Sequence, residues 1–393
     1  MDLGQYVMPD GVERVVRGFP ARQAIPELVD KFGYKAPYLV ASRTLNRETD
    51  AVAEIRHALG SRVVGSTDDV GEHAPVTNIL SAAQQIADSD ADVIVAIGGG
   101  SVLDFSKFVQ LAISERAFTR EALLAFQLKL SPDGTETVCT STASPSIRQI
   151  AVPTTLAAAE WTPSGTPLDT VTGRKVHLRA VRGAPRAIVY DPEMLVHTPK
   201  RLLYASAIRG LDHSINSYLS IRPHPLVDLI SLEAARLYLA NLPRLAENPC
   251  DREALGACQL ATWYTGMGNV TMAAMHGFSH YMVHILAPHI GAGHSETAAP
   301  LMLAQARWLE EQPTPRYKDL LRATLPSHRS LADALESLLG LLGLPTSLSE
   351  LGATVKQVEE IVPLAMRHPS LTRHSVRPLE DEQELMRVME MAM

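Results

Sequence analysis

Between Ala21 and about Ile150, short apolar runs alternate with longer stretches in which apolar positions recur every three or four residues. Tyr38–Ser42 (YLVAS), Arg62–Gly65 (RVVG) and Asp92–Ile97 (DVIVAI) have the continuous apolar character of buried strands. Asn46–Leu59 and Val76–Asp88, lying between them, have helical periodicity. Strands that take turns with helices predict a parallel sheet with crossover helices. Ser131–Ser146 (SPDGTETVCTSTASPS) is rich in turn-forming residues and reads as a surface loop or insertion. After Ala187–Tyr190 (AIVY) strand signals nearly stop, and helical periodicity rich in Ala, Leu and Met runs from Leu202 to the end. The pattern therefore predicts an α/β domain over 1–195 and an all-helical domain over 196–393. No internal repeat is seen, which excludes a solenoid.

Composition narrows the function. Hydrophobic residues make up 46% of the 393 positions and charged ones 20%, which excludes a disordered or fibrous chain. Lys and Arg number 36 against 43 Asp and Glu, a net −7, with no block of like charges, so neither nucleic acid nor an anionic membrane is an expected partner. Small molecules are. Three cysteines, Cys139, Cys250 and Cys258, without CxxC spacing suggest neither a disulfide framework nor a thiolate metal site. The N-terminal residues lack a secretory pattern and no stretch is apolar enough to span a membrane, so a soluble, cytoplasmic protein is expected.

Three segments carry candidate chemistry. In ADVIVAIGGGSVLDFSK an apolar strand ends in Gly98, Gly99 and Gly100, and Ser101 opens a helix. Such a turn lets free N–H groups and a helix dipole meet a phosphate closely, although a tight structural connection has the same sequence. Asp104 and Lys107 follow one turn later as an intrahelical ion pair. In MHGFSHYMVHILAPHIGAGHSET, His276, His280 and His284 recur at four-residue spacing and His294 follows a Pro- and Gly-rich turn; His289 is recruited by proximity alone. Two imidazoles of a helix and one of the next loop can converge on an ion or act in proton transfer. In RGLDHSINSY, Asp212 and Asn216 share a helical face; alone they read as a cap and a solvated amide.

Taken in order, GGGSVLDFSK, PTTLAAAEWTP, GLDHSINSY and the HxxxHx(9)H spacing of His280, His284 and His294 resemble the iron-containing (group III) alcohol dehydrogenase family over nearly the whole chain. PTTLAAAEWTP, GEHAPVTNI and HSETAAP look most like its maleylacetate reductase branch. The resemblance implies a Rossmann-like, dinucleotide-binding α/β domain and a helical domain with the site in the cleft between, an architecture shared with dehydroquinate synthase-like enzymes. It implies that Gly98, Gly99, Gly100 and Ser101 hold the pyrophosphate of NAD or NADP with Asp104 and Lys107 nearby, and that Thr154 and Thr155 line the adenosine and ribose side. It places metal ligands, Fe or Zn, at Asp212, Asn216, His280 and His294, and His284 beside the nicotinamide. His276 and Trp161 are expected on the substrate side, Trp161 as an aromatic wall.

Two departures qualify the ligand set. Asn216 stands where the family has histidine, and a neutral amide oxygen is a weak donor for a transition metal; metal-free maleylacetate reductases break the tetrad at the aspartate instead. Ala157, Ala158 and Ala159 stand where glycine and serine are usual. Arg43, after the YLVAS strand, suits a 2′-phosphate and hence NADPH. The expected activity is hydride transfer from NAD(P)H to a carbonyl or activated alkene, with a metal or protonated His280 and His294 as electrophile and His284 as proton donor. Redox-neutral lyase or cyclase-type chemistry on the same fold and a degenerate, non-catalytic nucleotide binder are the alternatives. A homodimer is a further expectation of the family resemblance.

Overall fold

The computed structural model describes residues 11–130, 137–138, 141–221, 223–271, 277–372 and 376–393. Contacts divide them into two units, one ending at Thr198 and the other beginning at Pro199.

The first unit is built on six strands: β1 (Arg14–Arg17), β2 (Pro37–Ala41), β3 (Gly65–Thr67), β4 (Val93–Gly98), β5 (Arg148–Pro153) and β6 (Ala187–Tyr190). They form one sheet in the order β1-β6-β5-β4-β2-β3, with every neighbouring pair parallel. Its longer helices are α1 (Ala21–Phe32), α2 (Arg43–Glu48), α3 (Ala51–Leu59), α4 (Val76–Ala87) and α5 (Gly100–Ser114). Along β4, Val93, Val95 and Ile97 point to one face and join Leu39, Ile150 and Val152 against α1 and α3. Ile94 and Ala96 point to the other, with Val40 and Ala151, against α4 and α5. Covering both faces is what makes these strands read as unbroken apolar runs.

Three local readings change. RVVG is not a strand: Gly60–Arg62 is a 3₁₀ turn and β3 starts at Gly65, because this edge strand leaves Val64 42% exposed. The helix expected over Asn46–Leu59 is two, α2 and α3, separated at Thr49, which is extended and turns its hydroxyl back onto the Leu45 carbonyl at 2.6 Å. Within the stretch read as a loop, Thr137–Val138 pairs antiparallel with Lys129–Leu130.

The chain runs from β2 outward to β3, then returns to place β4 on the other side of β2. Connections therefore diverge at β2 and β4, the place where open parallel sheets bind ligands beyond their carboxyl ends. Arg43 follows β2 and the glycine turn follows β4.

The second unit is helical: α6 (Lys200–Tyr218), α7 (Pro225–Glu247), α8 (Arg252–Thr271), α9 (Phe278–Ile290), α10 (His294–Glu311), α11 (Pro315–Thr324), α12 (Leu331–Leu342), α13 (Val355–Ala365) and α14 (Glu382–Glu390). α6 is buried from Leu203 to Tyr218 except at His213, and α7, α8, α9 and α10 pack around it. Among the described residues no helix is long and apolar enough to cross a membrane. Cys250 and Cys258 are free thiols; Cys139 lies outside the described residues.

Candidate active site

In the first unit β4 ends at Gly98, Gly99 caps α5, and the Gly98 carbonyl accepts from Thr154 N–H at 3.0 Å. A Cβ at Gly98 would lie 2.5 Å from Val102 Cγ2, too close to fit without a shift, and one at Gly99 would lie 3.0 Å from Thr155 Cγ2, whereas Gly100 has room for one. The first helical N–H groups, those of Gly100 and Ser101, have no helix carbonyl to reach and Ser101 is exposed. Orphan donors, the positive helix end and the adjoining Thr154 and Thr155 make a cradle suited to a phosphate anion.

Lys107 makes the intrahelical pair with Asp104 that the spacing suggests and adds ties to the following loop. Its fully buried ammonium donates to Asp104 Oδ1 and the Ala159 carbonyl, both at 2.7 Å, and to Thr162 Oγ1 and the Ser164 carbonyl, both at 3.3 Å. It is spent on holding the 159–164 loop to α5, and Asp104 serves the same tie. Just before that loop Ala158 adopts the left-handed conformation, φ 62°, the region where glycine would be unstrained.

Trp161 is corrected outright. It is 3% exposed and its indole N–H donates to the Tyr190 hydroxyl at 2.7 Å, which in turn donates to buried Glu160 at 2.5 Å. An indole in the core with its polar atom paired forms no substrate wall. Burial pushes Glu160 up to about 7, although the Tyr190 hydrogen bond opposes it. Arg43 is exposed and paired with Asp69 at 2.8 Å, while Asp68 is held down at about 2 by Arg47 and Asn46.

In the second unit the histidines do converge. Gly291, in the left-handed conformation, ends α9, and Gly293 caps α10, so the chain reverses and brings His294 back to His284, ring centroids 4.6 Å apart. His280 lies 5.0 Å from His284, and His213 of α6 lies 5.1 Å from His280. His289 points elsewhere, to Glu360 at 3.1 Å. His276 lies outside the described residues.

Against these rings α6 presents Arg209. Its Nη1 donates to Asp212 Oδ2 at 2.8 Å, and its Nη2 lies 3.2 Å from His280 Nδ1 and 3.3 Å from His294 Nε2. A guanidinium only donates, so both ring nitrogens accept and the ring protons reside on His280 Nε2 and His294 Nδ1. Asp212 Oδ1 accepts from Asn216 Nδ2 at 2.8 Å and from the Ser279 hydroxyl. Asn216 Oδ1 accepts from Gly277 N–H at 3.0 Å and Gln305 Nε2 at 3.1 Å, and a side chain at Gly277 would collide with it. Burial pushes the Asp212 carboxyl up and pulls the Arg209 guanidinium down, each partly restoring the charge of the other.

This geometry corrects the expected tetrad. Asp212, His213 and His280 do bring donor atoms within 4.8 Å of one another. But the lone pairs of Asp212, His280 and His294 are aimed at a cation that the chain supplies itself, and the amide of Asn216 is committed to Gly277, Gln305, Asp212 and Ser279. As arranged, these residues do not fit a divalent metal. Arg209 and His213 were missed in the sequence; their own four-residue spacing was the available signal.

A sheet whose connections diverge at a phosphate cradle, together with a helical unit carrying a run of imidazoles, defines the class as a two-unit dinucleotide-dependent oxidoreductase. Comparison with known proteins is consistent with this. The model of the iron-containing alcohol dehydrogenases matches residues 13–192, and that of the C-terminal region of the Fe-containing alcohol dehydrogenase family matches residues 204–393. Maleylacetate reductase 1 of Rhodococcus opacus is 27% identical over 382 residues, 95% of each chain. The 4-hydroxybutyrate dehydrogenase of Cupriavidus necator is 26% identical, covering 88% of this chain and 89% of its own. The sulfoacetaldehyde reductase of Bifidobacterium kashiwanohense, solved in complex with NAD+, superposes with a TM-score of 0.84 at 22% identity, covering 99% of this chain and 98% of its own. The chain belongs to the iron-containing alcohol dehydrogenase family and is an NAD(P)-dependent oxidoreductase acting on small molecules.

Proposed function

We propose that this chain reduces a small oxo-acid with NAD(P)H, saturating an alkene conjugated to its carbonyl, and that maleylacetate is the first substrate to try. The observation that carries the reading is the full-length likeness to maleylacetate reductase 1 of Rhodococcus opacus. The backbone N–H groups of Gly100 and Ser101 hold the pyrophosphate, Thr154 and Thr155 flank the ribose side, and Arg43 meets a 2′-phosphate. NAD(P)H held there supplies the hydride and leaves as NAD(P)+. As the hydride adds to the β-carbon, the alkene pair becomes the double bond of an enolate and the carbonyl π pair moves onto oxygen; a proton relayed through His284 to the α-carbon then restores the carbonyl and completes the saturated acid.

The test is NAD(P)H oxidation with maleylacetate, the product identified by mass, beside 4-hydroxybutyrate with NAD(P)+. One cofactor oxidised per saturated acid formed is the expected result. Turnover of 4-hydroxybutyrate alone would make the chain an alcohol dehydrogenase in practice. Product formed without net cofactor change would make it a redox-neutral enzyme. A homodimer is part of the same proposal and is read from sedimentation of the purified chain; a cytoplasmic location is read from fractionation of the cells that make it.

A further inference from the structure

We propose that Arg209 is the resident cation of the active site, that it meets the reacting oxygen of the substrate, and that the chain works without a transition metal. The proposal rests on the reductase reading above and adds the residue that answers the developing negative charge.

Three observations carry it. The guanidinium lies where the groups expected to bind metal converge, touching Asp212, His280 and His294 together. A divalent ion placed among the same lone pairs would stand against a fixed positive charge. The counter-ion is held by a built scaffold: Asp212 is fixed by Asn216 of its own helix and Ser279 of α9, and Asn216 in turn by Gly277 and by Gln305 of α10. Finally, a guanidinium carries five N–H donors in a planar fork and stays charged even when buried. The three bonds to Asp212, His280 and His294 engage one hydrogen of Nη1 and both of Nη2, and the two N–H groups these bonds do not use, on Nε and Nη1, can each donate singly to an enolate or carboxylate oxygen. Hydride addition sends the carbonyl π electrons to that oxygen; Arg209 compensates the charge without giving up a proton, and the proton comes from elsewhere.

The first experiment needs no substrate. The purified chain and Arg209→Asp are analysed for metal and titrated with Co²⁺, read by visible ligand-field absorption. Arg209→Asp sets a carboxylate one helical turn before His213 and removes the guanidinium from Asp212, His280 and His294, leaving the oxygens of two carboxylates and the nitrogens of three histidines as candidate donors. Expected are a metal-poor parent with no ligand-field bands and a variant that gains tetrahedral Co²⁺ bands. Stoichiometric Co²⁺ with such bands in the parent would overturn the proposal.

The second experiment measures kcat/KM for maleylacetate, with NAD(P)H binding followed by fluorescence. Arg209→Met is expected to lose roughly 100-fold or more with cofactor binding intact, and Arg209→Lys to recover part of that. Should Arg209→Met fail to fold with Asp212 left uncompensated, Arg209→Met/Asp212→Asn removes both charges and takes its place. Activity within about threefold of the parent in either variant would overturn the role of Arg209. If the parent turns over no maleylacetate, the proposed substrate fails while the Co²⁺ result still decides this inference.

Discussion

Glu160 sets a pH dependence that a single substitution isolates. Burial raises its carboxyl to about 7 in the folded chain, above the ordinary value near 4.3. The folded state thus binds this proton more tightly than the unfolded one, so the associated stability is fully present below the ordinary value and is lost as pH rises through about 7. Glu160→Gln keeps an acceptor for Tyr190 and removes the proton, and should flatten a difference on the order of 3 kcal/mol, read from urea unfolding between acid and neutral pH. Arg43→Ala should raise the KM for NADPH several-fold and leave that for NADH nearly unchanged; equal effects on both would leave Arg43 as only the partner of Asp69. Among single residues, His280, His284 and His294 were legible because their stripe and the following turn force them together. Arg209 was not. Asp212 and Asn216 satisfy a four-residue spacing as well as Arg209 and His213 do, and the two pairs lie about 60° apart around α6. Periodicity alone does not say which of them turns toward α9.

Between elements, the tie from α5 to the 159–164 loop is where a fold feature and a site feature meet. Lys107→Met would leave the Asp104 carboxylate and two loop carbonyls without their donor, at a cost of about 2–4 kcal/mol. Its readouts are a lower unfolding midpoint and a raised KM for NAD(P)H, with kcat less affected. An unchanged KM would make the tie purely structural. The strands at the centre of the sheet were legible because both their faces are covered, which leaves no polar alternation to confuse with a helix. The edge strand β3 and the break at Thr49 were not, because each depends on a neighbour: β3 on pairing with β2, and Thr49 on a hydroxyl turning back to Leu45.

For the whole molecule, ligand linkage gives a prediction that needs no turnover. NAD(P)H at about a hundred times its Kd should add about 2.7 kcal/mol, a rise of a few degrees in Tm by calorimetry, whereas a chelator should leave Tm and activity unchanged. A drop in Tm with chelator would mean that a metal holds part of the fold. Strand signals disappear after Ala187–Tyr190, and contacts divide the described residues at Thr198; the chemistry of each unit depended on residues that only packing reveals. Arg209 also bears on the choice between substrate classes. A side-chain monocation polarises oxygen less than a divalent ion does and cannot coordinate an alcohol to make it acidic at neutral pH. Such a chain is poorly equipped to start from an unactivated alcohol, which must first lose its proton, and well equipped to receive electrons into an already conjugated acceptor. Turnover of a conjugated oxo-acid such as maleylacetate should therefore far outrun turnover of 4-hydroxybutyrate, while for either reaction the ratio of forward to reverse rates stays fixed by its equilibrium constant.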